Sequence, residues 1–182
     1  MERSRVVVLA VAATAIVAVL APATAAASLP TPTHAKIKPF KKIGAVKLGI
    51  SKAQAIEKWG AGACSLEDGG GETCVWLSAS PTDFPPEGAA VQLFGGEVCG
   101  MFIRAGTPFS GDGLTITSLK KWKTEEGVGL GSKLKAAKKV LGGGKLLKEK
   151  HGVTTALNPG LTPSSENRVL EITIFKTGCN VT

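Results

Sequence analysis

Val46-Lys47-Leu48-Gly49-Ile50-Ser51, followed by Lys52-Ala53-Gln54-Ala55-Ile56-Glu57-Lys58-Trp59-Gly60, has a weaker echo later in the chain. The second copy is Val128-Gly129-Leu130-Gly131-Ser132, followed by Lys133-Leu134-Lys135-Ala136-Ala137-Lys138-Lys139-Val140-Leu141-Gly142. Val46, Leu48 and Gly49 recur 82 positions on as Val128, Leu130 and Gly131. Omitting Ile50 aligns Ser51 with Ser132, and Gly60 and Gly142 then match. In each copy an alternating apolar segment ends at a glycine suited to a turn. A serine then offers its hydroxyl to a free backbone N–H at a helix start. Gln54, three residues beyond Ser51, completes a capping box. Ala53, Ile56 and Trp59 share one face of the first expected helix, and Leu134, Ala137, Val140 and Leu141 one face of the second. Gly60 and Gly142 suit the left-handed position that ends a helix.

Outward from each helix the pattern changes to strands. The first copy has Thr73–Ala79, Ala89–Phe94 and Val98–Arg104; the second has Lys145–Lys150, Val153–Leu157 and Val169–Lys176. Turn signals separate them at Asp68-Gly69-Gly70-Gly71, Gly95-Gly96, His151-Gly152 and Asn158-Pro159-Gly160. The expected fold is α+β: a tandem repeat, each copy a short helical element packed on an antiparallel β-meander. Repeat 1 spans 40–106 and repeat 2 spans 119–182. Residues 107–118, with Pro108 and Gly111-Asp112-Gly113, form the linker between them. Residues 28–39, rich in proline and without apolar period, read as a second linker.

The first 27 residues read as a secretory signal peptide. Met1 to Arg5 is charged, Val6 to Ala21 is an uncharged run apolar but for Thr14, and Ala23-Thr24-Ala25-Ala26-Ala27 is a small-residue tract. Cleavage after Ala25 or Ala27 is expected, which places the protein in the cell envelope or outside the cell. Removing residues 1–27 leaves 155 of 182 and lowers the formal net charge from +8 to +7, because Arg3, Arg5 and Glu2 go with the leader. No later run reaches the ~20 apolar residues of a membrane span. The cysteines Cys64, Cys74, Cys99 and Cys179 all follow the leader, and an even number in an exported chain suggests two disulfides. Three connectivities are possible. Cys64 and Cys74 bracket a glycine-rich loop and form the natural local pair, which leaves Cys99 with Cys179. That long-range bridge requires the last strands of the two copies to be antiparallel neighbours.

Phe40, Ile43, Leu48-Gly49-Ile50-Ser51, Gln54, Gly60, Cys64 and Cys74 together resemble the repeat of the beta-lactamase inhibitory protein family. The BamE (SmpA/OmlA) outer-membrane assembly lipoproteins have a similar helix-and-strands unit. The resemblance covers about half of copy one well and the start of copy two loosely. It implies a scaffold whose paired repeats present a curved sheet to a protein partner, a beta-lactamase being one specific candidate. It implies no enzymatic activity and no cofactor. The departures are an absence of tyrosine, where the family surface is rich in Tyr and Trp, and an imperfect match to its acidic hairpin. Asp83-Phe84, in the proline-rich turn Ser80–Gly88, is the nearest analogue of that hairpin. Trp59 reads as core. Trp76, on a strand, and Trp122, in a basic stretch, are the tryptophans with a case for exposure, so the candidate partner-binding residues are Asp83, Phe84, Trp76 and Trp122.

Motifs of catalysis and metal binding are sparse. Gly142-Gly143-Gly144-Lys145 lacks phosphate-loop spacing and follows a helix. No G-x-S-x-G occurs, and His34 and His151 are the two histidines. Glu67-Asp68 and Glu125-Glu126 lie in loops, and Asn180-Val181-Thr182 is a glycosylation sequon at the chain end. Lysines 133, 135, 138 and 139 line a helix face, and Lys120-Lys121-Trp122-Lys123 mixes base with aromatic. These mark an anionic wall polymer or membrane surface as an alternative partner; nucleic acid is not expected in that compartment. A hydrolase assembled around His151 is a further alternative. The leading expectation is a secreted, disulfide-stabilised, non-enzymatic protein-binding module, an inhibitor or envelope-assembly factor.

Overall fold

The computed structural model describes residues 28–31, 34–111, 113–142, 144–160 and 165–179. The expected leader and the terminal sequon lie outside the described residues. The chain forms β1 (Ile37–Lys38), β2 (Lys42–Ile43), β3 (Val46–Lys47), α1 (Lys52–Trp59), β4 (Ala63–Leu66), β5 (Glu72–Leu77), β6 (Gly88–Phe94) and β7 (Glu97–Arg104). A 3-10 turn at Leu119–Lys121 leads to α2 (Leu134–Val140), β8 (Leu147–Lys150), β9 (Val153–Pro159) and β10 (Val169–Lys176). The architecture is α+β. A seven-stranded sheet has the order β4-β5-β6-β7-β10-β9-β8, and β1-β2-β3 form a small separate sheet. Every pairing within the two sheets is antiparallel.

The first helix starts as its sequence dictates. Gln54 N donates to Ser51 Oγ at 3.3 Å and Ser51 N donates to Gln54 Oε1 at 3.1 Å. The buried face is Ala55 and Trp59, with Ala53 exposed, which differs from the expected Ala53-Ile56-Trp59 stripe. Trp59 sets the contact direction, and the residue one turn before it is Ala55. The second helix departs further. Its N-cap is Lys133, without a side-chain cap, because Ser132 Oγ instead accepts from Gly129 N at 3.0 Å and closes the preceding turn. Leu134 N donates to Asn167 O at 2.9 Å, so a tertiary contact satisfies one of the donors at this helix start.

Two bulges decide which side chains reach the core. Opposite Gln92 and Leu93, β7 offers Gly100 and Val98, leaving Cys99 unpaired. The extra residue lets Val98 and Met101, three apart, both point inward with Ile103. A second irregularity between Val169 and Glu171 lets Val169 and Leu170 both bury ahead of Ile172 and Ile174. Residues 37–38 also differ from expectation: part of the presumed linker, they form β1. Ile37 pairs with Ile43 and Ile43 with Val46, and all three are fully buried.

All three tryptophans of the chain meet in one cluster. Trp59 of α1 meets Trp76 of β5 edge to face at 5.2 Å and stacks on Trp122, from beyond the linker, at 5.3 Å. Trp76 Nε1 donates to Gly60 O at 3.0 Å. Gly62 lies so close to this indole that a Cβ there would sit 2.7 Å from it, which makes glycine a packing requirement. The linker is held by a buried carboxylate. Glu87 is fully buried and accepts from Thr117 N at 2.9 Å, from Thr117 Oγ1, and from Leu119 N at 2.9 Å. Hydrogen bonds of this kind are what make a buried polar group tolerable.

Both disulfides form as expected. Cys64–Cys74 joins directly opposed residues of β4 and β5. Cys99–Cys179, with Cα atoms 5.5 Å apart, closes the end of the β7–β10 seam, where Gly100 faces Phe175. The bridges close loops of 10 and 80 residues. Chain entropy then predicts that replacing Cys99 and Cys179 by Ser costs ~4.5 kcal/mol of stability, and replacing Cys64 and Cys74 ~2.7 kcal/mol. Urea unfolding under non-reducing conditions checks the order; a larger loss from the Cys64–Cys74 pair would contradict it.

Candidate functional site

The seven-stranded sheet has one covered and one open face. The covered face contributes Cys74, Trp76, Val91, Met101, Ile103, Ile172 and Ile174 to a single core shared with α1, the end of α2 and the small sheet. The open face is read from the register. Ala63, Val75, Ala90, Phe102, Thr173, Ala156 and Leu147 are successive cross-strand partners spanning all seven strands. Partners in register point to the same side. Val75, Phe102 and Phe175 lie outside the core cluster and are half-buried, and Leu147 is exposed.

The middle of this face is polar and held in place. Glu171 Oε1 accepts from Asn158 Nδ2 at 2.9 Å and from Thr173 Oγ1 at 3.0 Å, while Arg104 Nε lies 3.8 Å from Glu171 Oε2. Gly100 allows Gln92 and Phe175 to close over the sheet: a Cβ there would lie 2.6 Å from Gln92 Oε1 and 3.4 Å from Phe175 Cβ. A hollow of about 420 Å³ results, walled by Phe102, Phe175, Leu147 and Ala156, with Gln92, Asn158, Glu171 and Thr173 in its lining. A second, mainly apolar cleft of about 480 Å³ runs along the β4–β5 edge between Leu29, Ala63, Val75 and Leu77.

The structure separates the four candidate partner-binding residues. Trp76 and Trp122 are buried at 0% and 1% exposure, so neither is a surface aromatic. Helix α1 supplies the third indole that covers them, and burying all three rings removes a large apolar area from water. Asp83 is also buried and accepts from Thr115 Oγ1 at 3.0 Å, fastening the β5–β6 connection to the linker. It is not a protruding acid. Phe84 is exposed and its ring lies parallel to that of Phe109, with centroids 6.3 Å apart. Backbone bonds from Phe84 N to Thr107 O (2.8 Å) and from Phe109 N to Thr82 O (3.0 Å) hold the two loops together. Phe109, Phe102 and Phe175 belong to no motif that marks them in the sequence. The signal for Phe102 was its position between inward-facing Met101 and Ile103.

Chemistry-bearing groups are spread out. His151 occupies the exposed β8–β9 turn and lines neither hollow. Cys64, Glu72 and Cys74 lie close together, but both sulfurs are in the disulfide and Lys52 pairs with Glu72. No helix among the described residues is long and apolar enough to cross a membrane. Compared with protein-family profiles, with curated proteins and with solved structures, the chain gives no match.

Burial separates these residues energetically. Trp122→Ala is expected to cost ~3–5 kcal/mol and Phe84→Ala ~0.5 kcal/mol or less. Chemical denaturation of the two variants checks this; similar losses would contradict the assigned environments.

Proposed function

We propose that the protein is an exported, non-enzymatic binding module that captures a protein partner on the open face of its seven-stranded sheet. The observation that carries this reading is the open face itself: two phenylalanines and a leucine wall a hollow whose polar floor is fixed by the Glu171 network. Surfaces that anchor partners combine apolar side chains that become buried on binding with polar groups already positioned. A rigid antiparallel sheet lowers the ordering cost of binding. Two disulfides fit an oxidising compartment, in line with the leader-like start of the sequence.

The reading includes a tandem repeat on the scaffold that the inhibitor-like and BamE-like resemblance implies. In support, α1 precedes β4 to β7, α2 precedes β8 to β10, and the last strands of the two halves meet at the centre of the sheet. A partner contact of this kind serves inhibition or assembly at the envelope, and needs no cofactor.

Phe102→Asp and Phe175→Asp, made separately, test it. Each is expected to weaken partner capture about 30-fold, corresponding to ~2 kcal/mol at a central contact, while the melting temperature stays within a few degrees of the parent. Cross-linked capture from the extracytoplasmic fraction, followed by titration of the recovered partner, provides the measurement. Capture that survives both substitutions would overturn the open face as the contact surface.

A further inference from the structure

The small sheet carries a second surface, on its own outer side. Its register places Lys38 opposite Lys42 and Lys42 opposite Lys47, directly behind the buried row of Ile37, Ile43 and Val46. Like charges directly opposed across strands destabilise a sheet. Lysines on edge strands are commonly explained as protection against aggregation. That accounts for Lys38 on β1 and Lys47 on β3, but not for Lys42 on β2, the central strand. Among the described residues, the ion pairs join Lys52 with Glu72 and Arg104 with Glu171, so none neutralises this row.

The basic surface continues beyond the row. Lys36 bridges in parallel to Lys123, with Ile37 N donating to Lys123 O at 2.8 Å, so two chain segments place lysines side by side. Glu125 and Glu126 border it, lining a shallow cleft with Ile37, Lys38 and Pro39. Strands sit ~4.8 Å apart, so the three row lysines leave the sheet within ~10 Å of one another.

We propose that this lysine row docks a phosphate-bearing polyanion, a linear polymer with regularly repeated phosphate groups. Lysine binds phosphate as a compact point charge, without the planar bidentate geometry of an arginine fork, and the row is built of lysine alone. A polymer chain is favoured over a bilayer because, among the described residues, no exposed large hydrophobic side chain interleaves with the row. The exposed ones among the described residues are Leu66, Leu77, Phe84, Phe94 and Leu147, on the large sheet or its loops, and Phe109, in the linker. The row faces away from the shared core, so polymer docking leaves the open sheet face free. The protein can thus be held at a charged matrix while its other side engages a partner.

The test uses the mature chain and long-chain inorganic polyphosphate, with polyglutamate and phosphatidylglycerol vesicles as comparison probes. The expected result is salt-sensitive polyphosphate binding that weakens about tenfold in K38Q/K42Q/K47Q. K135Q/K138Q/K139Q on α2, which removes the same charge, is expected to lose less than about threefold. Replacing the three row lysines by arginine is expected to retain binding. The glutamine triple variant is expected to melt no lower than the parent, because repulsion is relieved. Equal losses in the two triple variants, no binding by the parent, or equal affinity for vesicles or polyglutamate overturns the proposal. A clear drop in melting temperature would also overturn it, since the lysines would then be structural.

Discussion

The antiparallel pairing of β7 with β10 is the constraint on which the rest of the molecule depends. It runs from Arg104 opposite Glu171 to Gly100 opposite Phe175 and turns two separate meanders into one seven-stranded sheet. Without it each half would expose a long strand edge and half of an apolar face. With it the inward rows of both halves align, and Ile103 and Ile172 become direct neighbours in the core. The Cys99–Cys179 bridge closes the same seam at one end, and the Arg104–Glu171 pair lies at the other. Backbone pairing, the covalent cross-link and the Arg104–Glu171 pair therefore all bear on one seam.

Shared packing completes what the seam begins. Trp59, Trp76 and Trp122 come from a helix, a strand and the segment after the linker, and their contact ties those elements to one core. The buried carboxylates of Asp83 and Glu87 do the complementary polar work, holding the linker against the first half through Thr115, Thr117 and Leu119. A chain of this size has little core to spare. Its interior tryptophans are consequently committed to packing, which leaves phenylalanine and leucine to line the open face.

Legibility in the sequence followed the range of the interaction. Strands β5, β6, β7, β9 and β10 were readable because residues two apart share a face, and that period depends on nothing distant. The capping box at Ser51 was readable because its donors and acceptors lie within three residues. Ser132 misled because the same local signal faced a competing acceptor role in the preceding turn. The small sheet is not legible because two-residue strands carry almost no periodicity. The burial of Trp76 and Trp122 is not legible either, because whether an aromatic is covered depends on what packs over it. Asp83 has the sequence context of a turn acid, and its burial and its bond from Thr115 show it to be internal.

By itself, then, the sequence determined the α+β class, most strand positions, the first helix cap and the local Cys64–Cys74 pair, all of which rest on local spacing, whereas Cys99–Cys179 follows from the tertiary pairing of β7 with β10. Tertiary structure alone decided which face of the sheet stays open, which aromatics are buried, and that Lys38, Lys42 and Lys47 stand in one row. The physical reason is common to all three. Exposure and cross-strand neighbourhood are properties of how elements separated in sequence meet, and the residue order along a strand does not encode them.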